Sequence, residues 1–97
     1  MFKRRLAIIP VFVALAMATV GQQESAAVRL ARVRALAESG VARRIRVGAC
    51  LSLADVAADV GVTLGALSLW ERGLRKPTGT PALRYDALLQ ELIGGGR

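Results

Sequence analysis

Residues 52–77 read S-L-A-D-V-A-A-D-V-G-V-T-L-G-A-L-S-L-W-E-R-G-L-R-K-P, and the fold turns on this stretch. Ser52 is an N-cap candidate with Asp55 three residues on, an approximation of the capping box. Leu53, Val56, Ala57 and Val60 recur at i, i+3, i+4 and i+7, the spacing of one buried helical face. Gly61 provides the left-handed residue that a sharp turn needs. Val62 can plug the turn, Thr63 caps a second helix, and Leu67, Trp70 and Leu74 are expected to face inward. Gly73 closes that helix, and Pro77 prevents its continuation.

The flanks read as further helices. Ser25 is a plausible N-cap for a helix to Glu38, with Val28, Ala31, Ala35 and Leu36 as its apolar stripe. Arg29, Arg32 and Arg34 lie off that stripe. A solvated basic face is preferred for them over phosphate contact or a dimer seam. Gly40 either interrupts this helix or sits inside it at about 1 kcal/mol relative to alanine. A second run continues through Val41, Ile45 and Val47 to a stop at Gly48. After a turn at 78–80, Thr80-Pro81 offers a cap and then a proline at the first helical position. Leu83, Ala87, Leu88 and Leu92 would pack back on the core, with Tyr85 at its edge, and residues 94–97 form a flexible tail. With no strand pattern or repeat, the expected fold is all-α. It is a small four- to five-helix bundle spanning residues 25–93.

The 97 residues allow one small domain, and the net charge of +7 suits a polyanionic partner, either nucleic acid or an anionic membrane. A soluble protein that uses arginine for solubility would look similar. There is no histidine and only one cysteine, Cys50, so an internal disulfide and a Cys/His metal site both lack their residues. Cys50 is expected to be a small apolar filler. The usual general base is missing and the carboxylates are scattered. The chain therefore reads as not an enzyme, with no catalytic residue, metal or cofactor and no small-molecule ligand.

Residues 1–20 stand apart. Lys3, Arg4 and Arg5 precede an uncharged run from Leu6 to Val20. That run is shorter than the roughly 20 residues of a membrane-spanning helix and is interrupted by Pro10. It fits the apolar core of an export signal, with Ala16-Met17-Ala18 at the cleavage position. Export would carry the following domain away from any cytoplasmic target. A translation start at Met17 removes the conflict and is the preferred expectation. The alternatives are a genuine signal or membrane anchor, which would give membrane contact if residues 6–20 are retained, and an apolar helix packed on the domain or a partner.

Two helices joined by a short glycine-containing turn form the helix-turn-helix pattern. Leu53-Ala54-Asp55-Val56-Ala57, Gly61-Val62-Thr63 and Trp70-Glu71-Arg72-Gly73 make it more specific. With them the segment from about Ala42 to Leu89 resembles the Cro and lambda-repressor-like (XRE-type) helix-turn-helix family, in the form seen in actinobacteria and their phages. The resemblance implies a cytoplasmic, nucleoid-associated transcription regulator, repressor-like, that binds double-stranded DNA as a homodimer. A dimer would need the 25–38 helix or the last helix. The helix from Leu64 would enter the major groove with Thr63, Leu64, Gly65, Ser68 and Leu69 facing bases. Ser52, Arg72, Arg75 and Lys76 would contact phosphates. Arg46 and Glu71 would form a structural ion pair between helices.

This sequence departs from the family where bases are read. Of the expected base-facing side chains only Ser68 is a hydrogen-bonding reader, and an ambiguous one; leucine can touch thymine methyls. Gly65 also weakens the helix. The other function these residues allow is a protein-interaction module with a degenerate helix-turn-helix, membrane-tethered if the N-terminal segment is kept.

Overall fold

The computed structural model describes residues 24–95; the expectations for residues 1–20 lie outside the described residues. Five helices follow one another: α1 (Ala26–Glu38), α2 (Val41–Gly48), α3 (Leu53–Val60), α4 (Leu64–Glu71) and α5 (Gly79–Gly95). The described chain is a small all-α bundle without a strand.

Local sequence sets most boundaries. Ser25 Oγ accepts from Val28 N at 3.2 Å and starts α1. Gly40, at φ +86°, ends any continuity between α1 and α2. At Ser52 both halves of the capping box form: Asp55 N donates to Ser52 Oγ at 3.0 Å, and Ser52 N donates to Asp55 Oδ2 at 2.9 Å. Gly61 (φ +88°) lets Val62 N reach back to Ala57 O at 3.0 Å. A β-carbon there would also lie 3.0 Å from Arg84 Nη1, so substitution meets both strain and crowding.

α2 ends at Gly48 as expected, but Gly48 is not the left-handed residue that closes it. The left-handed residue is Cys50, at φ +61°. Cys50 N donates to Val47 O at 3.0 Å and Leu51 N to Arg46 O at 3.1 Å, the pairing of a Schellman closure. Cys50 thus takes the place usual for glycine and is exposed, not an apolar filler.

The core is built from Val33, Ala37, Ala42, Val56, Ala57, Val60, Leu67, Trp70, Ala82, Tyr85 and Leu89. Trp70 and Tyr85 stack at its centre, ring centroids 5.5 Å apart. α1 packs chiefly along α5, α2 bridges those two, and α3 rests on α4 and α5.

Two expected faces are rotated, and one expected core residue points outward. On α1 the inward residues are Val33 and Ala37 with Leu30 and Leu36, while Val28, Ala31 and Ala35 are exposed. On α5 they are Ala82, Tyr85, Asp86 and Leu89 with Leu88, while Ala87 is exposed and Leu83 and Leu92 are half-buried. Leu74 points outward at 66% exposure. α5 also begins at Gly79, ahead of Thr80-Pro81, and includes Gly94 and Gly95 from the expected tail.

The α1 arginines explain its rotation. Asp86 is fully buried on α5 and is met by Arg32 Nη2 at 2.7 Å and Arg29 Nε at 3.5 Å. Arg32 also holds Glu24 at 2.8 Å, and hydrogen bonding to Asp86 and then Glu24 raises its pKa. Arg29 Nη2 donates to Leu83 O at 2.8 Å, and Arg34 Nε to Pro77 O at 2.9 Å. Arg29 and Arg32 tie α1 to α5 and Arg34 ties it to the segment before α5, so these arginines are engaged within the fold and do not form a purely solvated face. A buried carboxylate is tolerated only when paired.

Candidate nucleic-acid interface

Between α3 and α4 the chain changes direction by 106°. Three contacts hold this angle. Val62 packs partly buried against the core under the turn. Thr63 Oγ1 accepts from Ala66 N at 3.1 Å and fixes the start of α4. At the other end of α4, Arg46 grips Glu71 with two parallel bonds, Nε to Oε2 at 2.6 Å and Nη2 to Oε1 at 3.0 Å.

The Arg46–Glu71 pair ties α2 to α4. Arg46 Nη1 also donates to Leu51 O at 2.8 Å, so the same guanidinium holds the loop that leads into α3. The side chains are only 11% and 4% exposed. Hydrogen bonding to Glu71 raises the Arg46 pKa, as expected for a charge-assisted pair.

With Leu67, Trp70 and Glu71 turned inward, the outer face of α4 carries Leu64, Gly65, Ser68 and Leu69. Leu64 is half-exposed at the N-terminal end, Gly65 is open to solvent, and Ser68 and Leu69 are partly covered. Thr63 is exposed, but its oxygen already serves the cap.

Arg72, Arg75 and Lys76 follow α4, all exposed and without an ion-pair partner among the described residues. Arg75 and Lys76 line a small cleft of about 170 Å³ together with Arg34, Glu38 and Trp70. Glu38 Cγ would lie 3.9 Å from a β-carbon on Gly73, so a carboxylate stands at the edge of this cationic group.

Ser52 is less free than the sequence suggests. Its N–H is taken by Asp55, and its oxygen accepts from Asp55 N. The bond from the Ser52 backbone N–H to the carboxylate lowers the Asp55 pKa, so an anion already occupies the N-terminus of α3. Arg84 was not singled out by sequence, because it stands alone on α5. The fold brings its guanidinium to Gly61 at the turn between α3 and α4, exposed and unpaired among the described residues. Only the tertiary contact carries that signal.

No family model, curated protein or solved structure matches the chain.

Proposed function

We propose that the chain is a non-enzymatic, cytoplasmic DNA-binding regulator of the helix-turn-helix type, repressor-like in kind, with α4 as the helix that enters the major groove. The observation that supports this most is the pairing of the 106° turn with an unfilled outer face on α4. Helix-turn-helix units cross at about 90–120° and present the second helix to the groove. Arg72, Arg75 and Lys76, and Arg84 from across the turn, supply the phosphate contacts. Ser52 contributes at most the free N–H groups behind it, since its own are engaged.

Titration of a fluorescent random duplex with the full chain tests this. Four phosphate contacts predict a log–log salt slope of about −3.6, or about 150-fold weaker binding at about 200 mM than at about 50 mM salt. Arg75→Ala and Lys76→Ala should each reduce the slope by about 0.9. Absence of duplex binding at low salt would remove the reading.

A second reading has its own support: Leu64, at the start of α4, and Leu74, in the segment after it, expose 51% and 66% of their surface. Exposed leucines so placed suit a protein partner. Binding that survives high salt, together with indifference to duplex, would favour it.

A further inference from the structure

We infer that the interface on α4 reads thymine 5-methyl groups through Leu64 and Leu69, and so prefers A·T-containing sites without bidentate hydrogen bonding. This rests on the duplex-binding reading above.

The outer face of α4 carries no amide, guanidinium or carboxylate. The Thr63 oxygen is bound to Ala66 N, which leaves Ser68 as the sole uncommitted hydroxyl on that face. A lone hydroxyl both donates and accepts, so it does not separate the bases by hydrogen-bond pattern. The remaining information in the major groove is apolar: the 5-methyl of thymine.

The geometry suits that group. Leu64 is half-exposed at the N-terminal end of α4, the end that meets base edges in this mode of docking. Gly65 has open space around it, with no atom within 4 Å of where a β-carbon would stand. The backbone can therefore come close to the groove floor, bringing the leucines on either side with it. A leucine seated over a cytosine would instead cover its N4 amino group without an acceptor, at the cost of an unmade hydrogen bond. The same side chains thus favour thymine and penalise cytosine.

The test uses the full chain and two duplexes, alternating A·T and its counterpart with deoxyuridine in place of thymidine, read by fluorescence anisotropy at low salt. Each contacted methyl should tighten binding about fourfold, the equivalent of about 0.8 kcal/mol. Leu64→Ala should bring the ratio toward one with the salt slope unchanged. Because Leu64 is half-exposed, that variant keeps its fold, which melting verifies, and Leu64→Gln should lose the ratio in the same way. Equal affinity for the two duplexes would overturn the methyl reading and leave duplex binding standing. A ratio that persists in Leu64→Ala/Leu69→Ala would assign it to duplex shape and overturn the inference too. Failure to bind either duplex would overturn both.

Discussion

Removing Arg46 should be far more damaging than removing any exposed arginine. Arg46→Met leaves the Glu71 carboxylate, 4% exposed, with no cation, and leaves Leu51 O without its donor. Stranding a buried charge costs about 3–5 kcal/mol. A domain of this size has roughly 0.05–0.15 kcal/mol of stability per residue, so the loss approaches the total. At about 4–8 °C per kcal/mol, the melting temperature should fall by at least 12 °C.

The reverse truncation is predicted to be milder. Glu71→Leu leaves Arg46 bonded to Leu51 O and, at 11% exposure, with a route to water. A loss of about 2–3 kcal/mol follows from the smaller desolvation left uncompensated. Arg46→Met/Glu71→Leu should cost less than Arg46→Met alone, because two apolar side chains can replace a buried pair. Urea titrations followed by far-UV circular dichroism give the cycle, with an expected coupling near 3 kcal/mol. An additive cycle, or a loss below about 1 kcal/mol for Arg46→Met, would refute the claim that this pair fixes α2 to α4.

Three further outcomes follow from single residues. Cys50→Gly should stabilise by about 1 kcal/mol, since Cys50 holds a left-handed conformation, whereas Cys50→Ala should gain nothing; thermal melts separate backbone from thiol. Tyr85 Oη is buried without a hydrogen-bond partner among the described residues, so Tyr85→Phe should be neutral or stabilising by about 1 kcal/mol at neutral pH. Burial, then the nearby Glu71, raises the Tyr85 pKa. The folded state therefore keeps a proton that the unfolded chain releases near about pH 10, so wild-type stability is whole below that pH and declines above it. The chain has one tyrosine, so the stability difference between wild type and Tyr85→Phe should change above pH 10 and stay flat below it. Glu38→Gln removes a carboxylate beside Arg75 and Lys76 and should tighten duplex binding about two- to fivefold at low salt, with the gain fading as salt rises; unchanged affinity would place phosphates elsewhere.

What the sequence made legible was local. The Ser52–Asp55 capping box, the Gly61 turn and the Thr63 cap depend on groups within a few residues of each other, and each forms as its residue types require. The Arg46–Glu71 pair spans a longer distance and came from the family resemblance, not from spacing. The phase of α1 was not legible, because A-A-V-R-L-A-R-V-R-A-L-A offers two apolar stripes of nearly equal size. Alanine decides little between them. The choice falls to Asp86, which is buried on α5 and requires Arg29 and Arg32 on the facing side. Residue type gives no sign of that burial, because aspartate is mostly exposed. Cys50 misled for a related reason: burial statistics describe the side chain, whereas its position is set by the backbone closing α2.

Sorting the arginines changes what the net charge means. Arg29, Arg32, Arg34 and Arg46 are committed to carboxylates or carbonyls inside the fold. Arg43, Arg44, Arg72, Arg75, Lys76 and Arg84 remain exposed and unpaired among the described residues. The charge available to a polyanion is therefore local, and its densest group follows α4, with Arg84 at the turn before that helix. Under the proposed function, charges there would give affinity for any duplex and carry no sequence information. Whatever discrimination exists must come from the face between them, where Leu64 and Leu69 stand without a bidentate partner for any base. If the proposed function holds, affinity should respond steeply to salt and only modestly to sequence. One contacted methyl is worth about 0.8 kcal/mol, against about 1–3 kcal/mol for a bidentate pair.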